Sequence, residues 1–522
     1  MLSYSRLSLK NSKSLTISSL RTMATQAKEN LVEFNVQGNS RTITLNRPGK
    51  LNALNTEMCN EIIPRLVEFS KSKSASLVLI KSNSPKAFCS GGDVVQCAKD
   101  NLKNDSNKSI EFFQSEYNLN YLLSIYGKPI VSLINGIVMG GGVGLSVHGA
   151  FRVVTESTRF AMPETSIGFF NDVGTSYWLP KVDANLGYYL SLTGDELTGF
   201  DTLLLGFGTH YVPSTRFPEL ANRLSELEIP NLFTDRRKNQ LFNHNNSSQL
   251  FALVNSVIEE FTVEIPRNHK FKYSPEEINT IEKCFNPNTK KSIDDIITSL
   301  NEDGSKFALE TIQKLNSKSP ISLNLNWNML LRNKNATIQE SLTRELRLAA
   351  KLMTNYRNND FNDFINNKLI EKNKSSTTSK YYPTLKDVQS STVDELVSLD
   401  VYNPQVEIKG KDNEIEDKSS VEKLIESLNS LKINNFSNLG ESVANYSNIP
   451  HHMGLPTQSE IEYYVKGSKN SKNQTPVSFA ETIRYFRMKY DEKAGVDSKV
   501  KMVLNRKTKP NPIDDSFIEW IN

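Results

Sequence analysis

Twice within its first 150 residues the chain sets a short apolar strand, a glycine-rich turn and a helix in that order, and this recurrence leaves few folds open. Leu77 to Ile80 is an apolar run suited to a buried strand, and Ser90-Gly91-Gly92-Asp93 turns the chain into a helix. Pro129 to Ile134 repeats the strand and Met139-Gly140-Gly141-Gly142 the turn, after which Gly144 to His148 begins the next helix. Ahead of them, Leu31 to Gln37 and Arg41 to Asn46 alternate in polarity around Gly38-Asn39, a hairpin signal. Thr56 to Ser70 places Met58, Ile62, Leu66 and Phe69 at helical spacing, with Thr56 as the expected cap. Such a series predicts an α/β fold of stacked turns rather than a sandwich or a bundle.

Further along, from about Thr193, the pattern turns helical, most clearly over Ile338 to Met353 with Leu342, Leu346, Ala349, Ala350 and Met353 on one face. A run of Lys, Asn, Ser and Thr from Glu371 to Lys380 reads as a loop or linker. Beyond about residue 390 the chain is polar and weakly patterned, and its charge is segregated. Residues 394–426 hold ten acidic and four basic residues, and 466–509 hold twelve basic and four acidic. The expected division is a presequence over 1–28, an α/β core over 29–200, a helical part over 201–385, and a C-terminal extension of unassigned role over 386–522.

The presequence rests on composition: residues 1–28 carry Arg6, Lys10, Lys13, Arg21 and Lys28, seven serines and no acid before Glu29. That is the make-up of a mitochondrial transit peptide, the alternative being a basic tail without a targeting role. No apolar stretch suits a secretory signal, and none approaches the roughly 20 residues of a membrane span. A net charge of +4 over 522 residues excludes a chain that is basic throughout, although the local excess at 466–509 remains. Four cysteines without paired spacing make neither a zinc site nor a disulfide framework, so no metal is expected. Cys89 is read as a packed side chain rather than a nucleophile. His148 and His210 are read as packing residues, and the pair His451-His452 has no second ligand pair to make a metal site.

Chemistry is suggested by the two glycine turns. Each presents backbone N–H groups with no side chain in the way, which suits an oxyanion hole, although a tight structural turn would look the same. Neither is a phosphate loop, because no Gly-Lys-Ser/Thr follows, and neither completes a dinucleotide fingerprint.

In combination the segments resemble the crotonase, or enoyl-CoA hydratase/isomerase, superfamily. The resemblance runs over roughly residues 31–385, through Leu51-Asn52-Ala53-Leu54, Ala87 to Asp93, Asn135 to Leu145 and Phe160 to Gly174. The last block, with Phe112-Phe113-Gln114-Ser115-Glu116-Tyr117, is similar to the 3-hydroxyisobutyryl-CoA hydrolase subfamily. The resemblance implies a spiral of stacked ββα turns with a helical C-terminal region. It places the oxyanion at the N–H groups of Gly92 and Gly141, and the acyl-CoA against Leu51, Asn52, Ala53, Leu54, Ser90 and Asp93. Glu164 becomes the catalytic carboxylate, as general base or nucleophile; Asp172 an acceptor for a substrate hydroxyl; and Glu116 a substrate contact. Gly144 stands where hydratases carry their second acid, and a glycine supplies no proton. Hydrolysis of a short 3-hydroxyacyl thioester in valine breakdown, in the mitochondrial matrix, is therefore expected, with CoA entering as part of the substrate and no separate cofactor. Hydration or isomerisation is the weaker alternative. Asn171, where the subfamily usually has proline, and Thr175-Ser176, where it has glycines, are departures that flank Asp172.

The extension is not explained by that chemistry. Fungal relatives of the subfamily include a component of the mitochondrial small ribosomal subunit, so 466–509, with Tyr485, Phe486 and Tyr490 interleaved among its cations, could meet rRNA phosphates.

Overall fold

The computed structural model describes residues 30–227, 244–354, 359–372, 379–398, 431, 433–434, 453–467 and 476–521. Residues 1–28, expected as a transit peptide, His451-His452 and most of the acidic stretch lie outside the described residues.

Strands β1 (Val32–Gln37) and β2 (Ser40–Leu45) form the expected hairpin, with Gln37 opposite Ser40. From there the chain climbs by a repeated unit. β3 (Leu77–Ser82) is followed by β4 (Ala87–Cys89) and the helix Val94–Asn101. β5 (Ile130–Ile134) leads to β6 (Ile137–Met139) and the helix Gly141–Val147, and β7 (Phe151–Val154) to β8 (Arg159–Ala161) and a short 3-10 turn, Glu164–Ile167. The first strand of each unit enters one sheet, ordered β1-β2-β3-β5-β7-β10, where β10 is His210–Tyr211. The second enters another, ordered β4-β6-β8-β9, where β9 is Leu197–Thr198. This is the crotonase spiral of ββα turns. The six-stranded sheet continues past residue 200 through β10, which pairs with β7 in parallel.

The apolar runs are continuous because the large sheet is covered on both faces. Val78 and Ile80 point into the main core, whereas Leu77, Leu79, Val131 and Leu133 pack under the helices Phe217–Ser225 and His244–Glu259. Two helix starts differ from expectation. Asn55, not Thr56, caps the helix Thr56–Lys71, its side chain accepting from the Met58 amide at 3.0 Å. The helix after the glycine triplet begins at Gly141 rather than Gly144, because Gly140 takes φ 44° and closes the turn in a conformation that suits glycine.

The extension, weakly patterned in sequence, is ordered over its described part. Helices Gln458–Lys466, Phe479–Lys489 and Val496–Lys507 and a small hairpin bury Ile461, Phe486, Val500, Leu504 and Trp520. Its cations are largely spent on carboxylates. Buried Lys499 pairs with Asp183 at 2.8 Å, Lys493 with Glu259 and Arg506 with Glu282, all acids of the body, and five more of the twelve basic residues in 466–509 face an acid. Phe486 is core, and the Tyr490 hydroxyl donates to Glu460, so of the three interleaved aromatics only Tyr485 is exposed. Helical periodicity turned the other two inward. Among the described residues no helix is long and apolar enough to cross a membrane.

Because Lys499 holds a body carboxylate from inside the interface, Lys499→Met should lower stability by about 3 kcal/mol. Thermal unfolding checks this; an unchanged midpoint would mean that the extension merely rests on the body.

Candidate active site

Three neighbouring parallel strands of the small sheet, β4, β6 and β8, end at Cys89, Met139 and Ala161. Gly91-Gly92, Gly140-Gly141 and Glu164 follow those ends, so topology alone gathers the two turns and the carboxylate at one edge, the carboxyl side of a parallel sheet where ligands commonly bind. Across that edge lies the helix Ser106–Ser124. Its buried face carries Phe112, Glu116 and Asn120, each four residues after the last.

The fit is close enough to dictate glycine. A methyl group on Gly141 would overlap Glu116 Oε1 and lie 3.2 Å from the Gly92 nitrogen; one on Gly140 would stand 2.9 Å from Glu164 Oε1. At Gly144 it would meet Val173 Cβ at 2.6 Å and Asn120 Nδ2 at 2.8 Å. The structure thus brings together Gly92, Gly141, Glu116 and Glu164.

Four carboxyl groups are buried around this edge: Glu116, Glu164, Asp172 and Glu345. Burial pushes Glu164 up to about 8, reinforced by the charge of Asp172 and opposed by its own amide and by Asn171, whose Nδ2 donates to Oε2 at 2.5 Å. Burial likewise raises Asp172 to about 7, against the hydrogen bond that the Tyr117 hydroxyl donates to Oδ2 at 2.7 Å. Glu116 is raised well above its usual range by burial, then by Asp172 and Glu164, and its Oε1 has no hydrogen-bond partner among the described residues.

The loop bearing Asp172 is held from several sides. The Asn171 amide donates to Asn326 Oδ1 at 2.7 Å, its side-chain oxygen accepts from Ser191, and Thr175 Oγ1 donates to the Asp172 carbonyl at 2.6 Å. Glu345 accepts from the Gly174 amide at 2.7 Å and from the Ser176 hydroxyl. Val173 sits at φ 54°, an uncommon conformation for a β-branched residue, with its carbonyl accepting from His148 Nε2 at 2.7 Å. The residues that depart from the subfamily pattern, Asn171 and Thr175-Ser176, are the ones that tie this loop down. Glu345 escaped the sequence reading, although a charge between Leu342 and Leu346 on an apolar stripe was a signal for it.

The segment expected to hold CoA is mostly occupied with structure. The Asn52 side chain bonds the Arg47 amide and Ser82 Oγ, Leu54 is buried, and Asp93 caps the helix Val94–Asn101 while pairing with Arg47 at 2.8 Å. Leu51, Ala53, Ser90 and Gly92 keep partial exposure and form the open side. Cys89 is buried, its thiol pushed up to about 12 by that burial, which leaves it inert. His148 is buried against backbone. His210 has an acid after all: Glu259, 2.9 Å away, supplied by a helix too distant in sequence for spacing to reveal. Among the described residues no group of three or more His, Cys, Asp or Glu side chains is arranged to hold a metal ion.

Over residues 40–397 the sequence matches the enoyl-CoA hydratase/isomerase family, and the chain belongs to it. Among its relatives are the human mitochondrial 3-hydroxyisobutyryl-CoA hydrolase, 40% identical over 351 residues, which cover 67% of this chain and 83% of that protein. Another is the small ribosomal subunit protein mS47 of Neurospora crassa, 38% identical over 351 residues, covering 65% of this chain and 66% of that one. A solved carnitinyl-CoA dehydratase from Mycobacterium thermoresistibile superposes with a TM-score of 0.58 at 29% identity, over 73% of this chain and 99% of its own.

The raised carboxyls have a consequence for stability. Between pH 4.5, the ordinary value for a glutamate, and about 8, folded Glu164 keeps a proton that the unfolded chain has lost, so stability should fall as pH rises through this window. Glu164→Gln should flatten the decline by a few kcal/mol at most. Denaturant midpoints measured from pH 5 to 9 check both; a wild-type midpoint that rises across this range would contradict the burial argument.

Proposed function

We propose that the chain hydrolyses the thioester of a short 3-hydroxyacyl-CoA, 3-hydroxyisobutyryl-CoA in the first instance, to the free acid and CoA, in the mitochondrial matrix as a step of valine breakdown. One observation carries this reading: Glu164 lies against the Gly140-Gly141 turn, while position 144 has no room for the second acid that hydration needs. The name of the human relative supports the same reaction.

In this mechanism the N–H groups of Gly92 and Gly141 hold the thioester oxygen as it becomes an oxyanion, an effect of roughly 3 kcal/mol per donor. Glu116, whose carboxyl burial pushes well above its usual range, lies over Gly141 and in its protonated form would add an O–H donor at the same place. Ionised Glu164 either takes a proton from the attacking water or attacks directly to form an anhydride that water cleaves; in both routes the CoA thiolate leaves. A single turnover in isotopically labelled water separates the two, because only the anhydride route labels Glu164. Asp172, held by Tyr117, offers its other oxygen to the acyl chain.

Glu164→Gln should reduce CoA release from 3-hydroxyisobutyryl-CoA by two to four orders of magnitude, roughly the span of acid-base catalysis. Since the ionised form is active, the wild-type rate should rise with pH to a plateau above about 8. Unchanged turnover in the variant removes Glu164 from the mechanism. Assayed beside it, crotonyl-CoA should not be hydrated, and Gly144→Glu should not gain that activity.

A role in the mitochondrial small ribosomal subunit is the second reading, favoured by the likeness to the Neurospora protein. It is compatible with catalysis. Residues 466–509 offer less free charge to RNA than their sequence suggests, since most of the cations are paired; Arg484 and Lys501 are exposed. Sedimentation of a mitochondrial extract tests it. Co-migration with small subunits, weakened by Arg484→Glu with Lys501→Glu, supports contact through this face, and migration only as free protein sinks it.

A further inference from the structure

The helix that presents Glu116 carries a second polar group the proposed mechanism does not use. Asn120 is fully buried one turn further on, and neither its Nδ2 nor its Oδ1 has a hydrogen-bond partner among the described residues. A buried carboxamide with both ends unpaired is strongly unfavourable unless something pairs with it. As Glu116 lies over Gly141, so Asn120 lies over Gly144, three residues further into the helix that begins at the oxyanion turn. It thus stands three residues along that helix from Gly141, where the proposed mechanism puts the carbonyl oxygen.

We infer that Asn120 is a specificity-determining residue that binds a hydroxyl on the acyl chain. A carboxamide offers one acceptor and one donor direction side by side, matching a hydroxyl, which donates and accepts at once. Neighbouring carboxyls argue against an anionic group. A carboxylate on the acyl chain would face Glu116 and Asp172, and a hydrocarbon would leave the amide unpaired. Asp172 does not replace Asn120: one of its oxygens is taken by Tyr117, and when ionised it can only accept. Val173, packed at the same spot, supplies the apolar wall beside the amide. Where hydratases carry an acid on the helix that corresponds to Gly141–Val147, this chain has a neutral amide reaching in from the opposing helix.

This inference rests on the hydrolase reading for the identity of the acyl group, and binding separates the two. Two CoA thioethers that cannot be hydrolysed, S-(3-hydroxy-2-methylpropyl)-CoA and S-isobutyl-CoA, are titrated calorimetrically into the full chain. The wild type should bind the hydroxylated ligand at least about tenfold more tightly. Asn120→Leu should abolish that preference while changing the Kd for S-isobutyl-CoA by less than about threefold, and Asn120→Ala, which adds no bulk, should abolish it too. A wild type that binds neither ligand or shows no preference, or variants that keep it, overturn the assignment. A wild type that discriminates between the thioethers yet releases no CoA from the thioester sinks the hydrolase reading and leaves this one standing.

Discussion

The helix Ser106–Ser124 rests so closely on the Gly140-to-Gly144 segment that side chains cannot fit between them, and the geometry of the site follows from that contact. Four glycines are needed within one helical turn and its approach, each for a different neighbour: Glu164 at Gly140, Glu116 at Gly141, the Cys89 carbonyl at Gly142, and Val173 with Asn120 at Gly144. Backbone approach at this range is what brings the Gly92 nitrogen up against Gly141, the start of the next helix. The same contact leaves no room for a side chain at position 144, so a single packing decision both brings the two glycine turns together and excludes an acid there.

Holding several carboxyls out of water is unfavourable, and the surroundings show how it is sustained. Asn171 and Tyr117 each donate to one of them, and Glu345 is satisfied by an amide and a hydroxyl of the loop it secures. That loop includes Val173 in a left-handed conformation, kept there by the His148 bond on one side and the Gly174–Glu345 bond on the other.

The strand, turn and helix series was plain in the sequence because glycine and apolar runs act locally, and the fold class followed from it. Glu164, Gly92 and Gly141 could be singled out by resemblance, and the structure sets them side by side. What stayed hidden depends on contacts between distant segments. Asn120 looks like one more polar residue on a helix until Gly144 is placed opposite it. Glu345 lies about 170 residues beyond the loop it fixes. The extension looked like a basic surface because sequence shows its lysines and arginines but not the acids of the body, Asp183, Glu259 and Glu282, that meet them. Asn52 and Asp93 matched a ligand-binding motif, yet their side chains are engaged in bracing the turn behind it.

The gathering of buried acids also bears on how a catalytic cycle would end. A neutral acyl group can enter such a place with its carboxyl neighbours protonated. Once a reaction there converts that group into a carboxylate, the newcomer is a negative charge in a poorly solvated space where burial already disfavours ionisation of the neighbouring acids. The interior that accepts the reactant is therefore hostile to the product. Leu51, Ala53 and Ser90, half-exposed beside the glycine turns, mark the side toward which such an anion would leave.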